Sequence, residues 1–545
     1  MKAREVERVV YISLALAFIG WSSLFIYHSS YIALDGHRYF GLFDDAMISM
    51  RYGWNFAHGH GLVWNVGERV EGYTNLLMTL VMSLSAFFFD KKFAVLAVQI
   101  LGVPTILLTA LLTKQVATEI HEGKPHQEII SVLTFTCVLF YYPLNYWTLM
   151  GMETGLLTLL LMAAMLFALR WLRSNRIKDL LLASFMAGLA FLTRNDSLIA
   201  SALVFAYLAW ETYLNKKGRS DLRQVMYASG LFLIFPLAQT IFRYFYYGEL
   251  LPNTYALKLA NFPLSIRLIG GANFSAIFLL QSWLALTLAA LSLILDTRRV
   301  KVFLFSLVAA SIAYQVYVGG DPWPSWRLLA PAVPVLFILA IFAAAGIAGR
   351  WTLLASRKHV AAFFILALSL TALAFADLPF LDDMSVRGPT SAAIANRVNT
   401  NSALAINALT GPNASVGVIW AGTLPYYVDR RGIDFLGKSD AYIAHRNADV
   451  SGAVSWSGMI SVPGHNKYDL EYSIVKLEPT YIQGFSWGDQ TVKPWVTNNY
   501  MRVEYHGAFG EKTIFLHKDS PDVCWEECKD RYKIIPWPKP KQVNP

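Results

Sequence analysis

Long apolar runs alternate with short polar interruptions over the first two thirds of the chain. Twelve runs stand out, at about 9–31, 73–89, 94–113, 129–147, 154–172, 179–196, 198–214, 225–245, 273–295, 302–318, 328–349 and 359–376. Runs of roughly 17 to 23 apolar residues predict helices that cross about 30 Å of hydrocarbon. The interruptions orient them, because basic residues gather in cytoplasmic loops. Five such loops carry Lys114 and Lys124; Arg170, Arg173, Arg176 and Lys178; Lys216, Lys217, Arg219 and Arg223; Arg298, Arg299 and Lys301; and Arg350, Arg357 and Lys358. The first run follows Lys2, Arg4 and Arg8 and reads as a retained signal anchor with a cytoplasmic start.

These assignments alternate correctly from residue 94 onward but fail by one within 31–93. The simplest repair makes 73–89 a juxtamembrane or re-entrant helix inside a long first outside loop, 32–93. Eleven spans then leave the C-terminus outside. With that topology the unexplained polar residues fall on one side of the membrane. They are Asp44, Asp45, Arg51, Glu68, Arg69, Glu71, Glu153, Arg194, Asp196, Glu249, Asn253, Lys258, Asp321 and Arg327. Ionisable groups at membrane edges are costly unless paired or functional, so their collection at one face predicts one cavity. Solvated outside loops are the competing explanation. Glu153 and Asp196 weaken it, because they border spans with almost no loop around them.

From about residue 379 the runs shorten and turn residues rise. Strand-like pieces such as Ser415–Trp420 and Thr513–His517 predict a mixed α/β domain over 379–545, following a membrane domain over 1–378. Ile534–Pro545 reads as a Pro- and Lys-rich tail. The fold class expected is therefore an α-helical polytopic membrane protein with a C-terminal extracytoplasmic α/β domain.

Composition agrees with a bilayer as solvent. Of 545 residues 55% are hydrophobic and 15% charged, with mean hydropathy +0.41, against about 25% charged in soluble proteins. The net charge of +9 sits in the short loop clusters, which argues against nucleic acid as a partner. Of three cysteines, Cys524 and Cys528 could pair outside the cell, or remain as two separate thiols.

The densest polar segment runs from Phe43 to Gly61. Ile48, Tyr52 and Asn55 would share a stripe, which predicts an amphipathic helix lying on the membrane with Asp44 and Asp45 at its N-terminus. Two carboxylates there read first as helix caps, favoured by the helix dipole, and only second as catalytic groups. His58 and His60 read as residues of a Gly-rich turn. Tyrosines and tryptophans fit interface belts, except Trp323 and Trp326, which flank the motif acid Asp321.

Several motifs go further. Asp44-Asp45-Ala46-x-Ile48-Ser49-x-Arg51-Tyr52 and Gly59-His60-Gly61-Leu62-Val63-Trp64-Asn65-x-Gly67-Glu68-Arg69-Val70-Glu71-Gly72-Tyr73-Thr74-Asn75 resemble the first outside loop of GT-C glycosyltransferases, in particular the arabinofuranosyltransferase-like branch. Gly151-Met152-Glu153-Thr154, Thr193-Arg194-Asn195-Asp196, Leu251-Pro252-Asn253-Thr254-Tyr255-Ala256-x-Lys258 and Gly319-Gly320-Asp321 continue the likeness. Pro425-Tyr426-Tyr427 and Pro463-Gly464-His465-x-Lys467 extend it into the C-terminal region. The chain departs from the family's Gly-Leu-x-Asp at Lys438 and Ser439, and at Asn195 and Ser197.

The resemblance implies transfer of a sugar, arabinofuranose first among the candidates, from a polyprenyl-phosphate donor to a hydroxyl, with inversion. The acceptor would be a cell-envelope glycan, a lipid-linked glycan or a surface protein. It implies a general base at Asp44 or Asp45, with Asp44 favoured and Asp45 orienting the sugar or a basic partner. Arg51, Arg69, Arg194, Lys258 and Arg327 are candidates for the lipid phosphate. Glu68, Glu71, Glu153, Asp196, Asn253, Tyr255, Asp321, Trp323 and His465 are candidates for the sugar, with pairing of Glu71 or Glu153 to Arg69 or Arg194 as the competing role. No metal ligand set is read, although a divalent cation is left open as cofactor. The expected setting is a monomer in the bacterial inner membrane, with the site facing the periplasm. A lipid-diphosphate-dependent ligase or polymerase and a membrane transporter are the alternative readings. Transporters usually carry internal repeats, and none is visible here.

Overall fold

The computed structural model describes residues 3–122, 127–214, 219–323, 325–350, 381–451, 463–484, 490–507, 510–526 and 533–535. The apolar runs form helices: α1 (Ala3–His28), α4 (Lys91–His121), α7 (Thr154–Ser174), α8 (Ile177–Thr193), α9 (Ser197–Leu214), α10 (Arg219–Tyr247), α14 (Arg299–Val318) and α15 (Val333–Arg350). Among the described residues eight helices are long and apolar enough to cross a membrane, or nine if one bent pair counts as a span. The chain is thus a multi-pass membrane protein. Run 359–376, Cys528 with its candidate disulfide, and residues 536–545 lie outside the described residues.

Two runs differ from expectation, and a third, 73–89, meets it. The run at 129–147 breaks into α5 (Gln127–Leu139) and α6 (Tyr142–Leu149), bent by 46°. Phe140 and Tyr141 separate them, and Pro143 suits the first turn of α6, where no amide partner is lost. The run at 273–295 begins earlier, as α12 (Leu264–Gln281), and restarts after Ser282 as α13 (Trp283–Leu295). The run at 73–89 is α3 (Leu76–Phe88), whose 13 residues extend roughly 20 Å, too short to cross. Asp90 then opens α4 by accepting from the Phe93 amide at 2.9 Å. α2 (Asp44–Ala57) also departs from its expected role. Residues Ala46 to Gly53 are all buried, so it is enclosed between α3 and the short helix Thr423–Tyr427 rather than lying on the membrane surface. Short strands β1 (Ser30–Ile32) and β2 (Arg38–Phe40) pair antiparallel just before it.

The C-terminal region holds a six-stranded mixed sheet, order β4-β3-β5-β7-β6-β8. β3 (Ser415–Val418) pairs in parallel with β4 (Arg431–Asp434) and β5 (Tyr481–Ile482). β6 (Tyr500–Gly507) and β7 (Gly510–His517) form a hairpin, with β8 (Lys533–Ile535) antiparallel at its edge. The helix Ser391–Leu409 seats this region on the first loop. Asn396 donates to the Leu42 carbonyl at 2.7 Å, Asn401 accepts from the Leu34 amide at 2.8 Å, and Tyr31 meets Thr400 at 2.7 Å.

Candidate active site

A cavity of about 330 Å³ lies where the first loop, the helix ends and the C-terminal region meet. Of the sequence candidates it is lined by Asp45, Glu153, Arg194, Asp196, Tyr255, Lys258, Asp321 and Arg327. Asp45 stands in the first turn of α2. Arg327 donates to it at 2.9 Å while gripping Asp321 with two bonds of 3.0 Å, and Lys438 donates from the other side at 2.8 Å. Burial alone would raise the Asp45 pKa. Lys438 and Arg327 outweigh it and hold the carboxyl well below the usual range, so Asp45 stays ionised.

Arg327 reaches this position from an irregular segment. Ser325 and Trp326 adopt φ of 58° and 50°, the left-handed region that costs a non-glycine residue about 1–2 kcal/mol. Trp326 packs against Phe274 and Phe278, and Trp147 donates to the Ser325 carbonyl at 2.8 Å. A second ion network closes the opposite wall. Arg194 pairs with Glu153 at 2.6 Å and Asp196 at 2.7 Å, and Asn75 links Glu153 to Ser49.

Four lining carboxylates (Asp45, Glu153, Asp196, Asp321) thus face four cations (Arg194, Lys258, Arg327, Lys438). Three of the cations are ion-paired; Lys258 makes no ion pair among the described residues. Burial lowers its ammonium pKa to about 8, with Arg327 adding repulsion. Tyr314, Arg194, Asp196, Arg327 and Leu328 also border an adjoining cleft of about 60 Å³ that runs between α7, α9 and α14, lined by Leu157, Leu161, Leu203 and Leu307.

The remaining candidates have other surroundings. Asp44 does not line the cavity and does not cap its own helix; its carboxylate accepts from the amides of Gly422 at 3.2 Å and Thr423 at 2.8 Å, at the start of helix Thr423–Tyr427. The contact requires glycine, since a Cβ on Gly422 would come 1.9 Å from the Asp44 carbonyl oxygen. Burial raises the Asp44 pKa despite the Thr423 amide and Lys438. Arg51 is buried and donates to the carbonyls of Trp64, Pro425 and Arg430 and to Asn65, far from a phosphate-binding role. Glu68 pairs with Arg431 at 2.7 Å. Glu71 pairs with Arg243 of α10, not with Arg69, which lies over the Tyr246 ring. Asn253 donates at 2.9 Å to the carbonyls of Gly437 and Lys438. Trp323 and His465 contact each other beside the cavity. His58 stacks on Trp54, and His60 lies in the turn that follows α2. Among the described residues no group of three or more His, Cys, Asp or Glu could hold a metal ion.

Sequence reasoning missed Lys438 as a partner of Asp45, although it marked the position as a departure from the family. It sits on the turn after β4, where Asp434 accepts from the Leu436 and Ser439 amides at 3.0 and 2.8 Å.

Membrane-length helices, an acidic pair at the head of α2 and a C-terminal sheet region are thus all present. Over 239 residues the chain is 26% identical to the terminal β-(1→2)-arabinofuranosyltransferase of Corynebacterium glutamicum, and this bears out the resemblance read from the motifs. The match covers 40% of this chain and 33% of that relative's length. No family model matches. Among solved structures the chain is similar to ArnT from Cupriavidus metallidurans bound to undecaprenyl phosphate, at 12% identity and TM-score 0.46, over 80% of this chain and 86% of that one. It is also similar to the oligosaccharyltransferase AglB from Archaeoglobus fulgidus in complex with an inhibitory peptide and a dolichol-phosphate. There the identity is 12% and the TM-score 0.49, over 95% and 74% of the two chains.

Proposed function

We propose that the chain is a membrane glycosyltransferase that moves a sugar from a polyprenyl-phosphate donor to an acceptor hydroxyl in one inverting displacement. The observation that carries this reading is the ionised Asp45, fixed between Arg327 and Lys438 on the wall of a cavity where Lys258 makes no ion pair among the described residues. The acceptor oxygen attacks the anomeric carbon, its proton passes to Asp45, and the bond from the anomeric carbon to the phosphate oxygen breaks with its electron pair leaving on phosphate. Lys258 offsets the charge that grows there, an interaction strengthened by burial. Asp45 takes the role of base because it faces the cavity, whereas Asp44 is engaged by two amides. The apolar cleft beside Arg194 accommodates the first isoprene units.

In this reading residues 1–378 form the membrane body and 379–545 an extracytoplasmic domain that contributes Lys438 and His465. The positive-inside pattern supports a periplasmic site in a bacterial inner membrane. D-Arabinofuranose is the sugar proposed, on the strength of the curated match, with an envelope glycan or surface protein as acceptor and a monomer as the working unit.

The test is transfer from synthetic polyprenyl-phosphate arabinofuranose, followed by mass spectrometry, in the parent and in Asp45→Asn. A folded Asp45→Asn protein should lose roughly a hundredfold or more in rate. Parent-like transfer by this variant would move the base to Asp44, and failure of the parent with every lipid-phosphate sugar would refute the reaction.

A further inference from the structure

Three aromatic rings from distant stretches of chain meet beside Asp45. Trp323 follows the Asp321 turn, Trp420 lies just beyond β3, and His465 lies in the segment after Pro463. Their centroids are 6.0 Å apart for Trp323 and Trp420, 5.8 Å for Trp323 and His465, and 6.5 Å for Trp420 and His465. Phe43, immediately before the acidic pair, stands edge-on to Trp323 at 4.9 Å. Trp420 keeps 38% of its surface exposed, so the cluster is open on one side.

Packing alone does not account for this arrangement. The Trp323 Nε1 and both ring nitrogens of His465 are buried with no hydrogen-bond partner among the described residues. Each such atom costs about 1–3 kcal/mol, and buried polar atoms in native proteins nearly always find partners. Three in one cluster point to a ligand that completes the set. The chemistry of the atoms defines it. The indole offers a donor only, while a neutral imidazole offers one donor and one acceptor. His465 is kept neutral by burial and by Lys438, Lys258 and Arg327, which push it down to about 3. Hydroxyl groups both donate and accept, and the apolar C–H face of a sugar ring packs on indole.

We propose that Trp323, Trp420 and His465 form an acceptor subsite that takes the ring of a neutral saccharide and directs its hydroxyl at Asp45. The reaction reading above supplies the role of Asp45 in this inference, whereas saccharide binding stands on the cluster alone. His465 contacts the acceptor and is not itself the base.

The experiment uses the full chain in lipid nanodiscs, as parent, Trp420→Ala and His465→Phe. The second variant keeps a ring but removes both nitrogens. Binding of soluble arabino-, manno- and galacto-oligosaccharides is measured by calorimetry without donor, and KM for acceptor and donor is measured separately. Both variants should weaken saccharide binding and raise acceptor KM at least about tenfold, with donor KM within about twofold. A thermal melt close to the parent's identifies the folded variants, and Trp420→Phe should restore most of the affinity. Binding that depends on Trp420 in a parent that transfers no sugar would sustain the subsite and sink the reaction. Transfer with unchanged acceptor KM in both variants would overturn the subsite and leave the reaction standing. It is equally overturned if the parent binds none of the oligosaccharides, or prefers a peptide acceptor to all of them.

Discussion

Raising the pH through about 8 should neutralise Lys258 before any other cation of the cavity, because burial lowers its pKa to that value. Ion pairing has the opposite effect on its neighbours: despite their burial, the carboxylates around Arg327, Arg194 and Lys438 hold all three above their ordinary values. A lysine with pKa about 8 is roughly 90% protonated at pH 7 and roughly 10% at pH 9. If the ammonium offsets the charge on the departing phosphate, kcat/KM should fall about tenfold over that interval. Lys258→Arg keeps its charge beyond pH 12, so the alkaline limb should vanish from the accessible range even if the longer guanidinium lowers the plateau. Lys258→Met should lose about 10²–10³-fold of the parent's rate at pH 7, as when one electrostatic donor is removed from an active site. The assay is the initial rate of transfer from a lipid-phosphate sugar in nanodiscs between pH 6 and 10, with product counted by mass spectrometry. The reasoning fails if parent and Lys258→Arg share the same alkaline limb. It also fails if Lys258→Met keeps the parent's rate.

Other expectations follow from the same contacts. Asp44→Asn keeps one acceptor oxygen, enough for the Thr423 amide, and loses the one that serves Gly422. Because Asp44 is off the cavity, the variant should still transfer sugar within about tenfold of the parent, against the loss of a hundredfold or more expected for Asp45→Asn under one assay. Lys438→Met removes one of the two cations that depress the Asp45 pKa. A depressed carboxylate stays ionised as pH falls, so the variant's acid limb of kcat/KM should move to higher pH, and an unmoved limb would exclude Asp45 as the titrating base. Arg243→Met leaves Glu71 buried without its partner and should cost about 3–5 kcal/mol, read as a lowered thermal midpoint in lipid. Glu71→Gln leaves the Arg243 guanidinium buried without a counter-charge, so it should cost a comparable amount, offset only by the hydrogen bond its amide oxygen can still accept.

Much of this architecture is legible in the residues. Long apolar runs cannot fold as anything but helices in a bilayer, and the parity argument anticipated a non-crossing 73–89 because the basic clusters alternate correctly only from residue 94 onward, at the cost of leaving Lys91 and Lys92 outside. Glu153, Arg194, Asp196, Lys258, Asp321 and Arg327 converge as their collection at one face predicts. What escaped the sequence is long-range pairing. Arg51 has the chemistry of a phosphate ligand, but three carbonyls and Asn65 consume its guanidinium. Glu71 has Arg69 two residues away, yet Arg69 lies over the Tyr246 ring and Arg243 arrives from α10 instead. The break between α5 and α6 lies in continuous apolar sequence, where hydropathy carries no signal. The positive φ of Ser325 and Trp326 has no mark in composition either, since neither residue favours that region.

The partners of Asp45 explain why the acidic pair has two neighbours with different fates. Arg327 comes from the irregular segment before α15 and Lys438 from the turn after β4, so the carboxylate is fixed from two sides of the chain at once. Asp44 performs the complementary task, holding the amides of Gly422 and Thr423 and through them the segment that carries Trp420. One carboxylate is therefore organised by the region beyond residue 379 and the other organises it. A buried carboxylate stripped of one cation regains its desolvation penalty and its basicity together. Detaching the C-terminal sheet should thus not leave a slower version of the same site. It should leave Asp45 protonated up to a higher pH, Lys258 more open to water and no aromatic cluster, three changes that each oppose transfer.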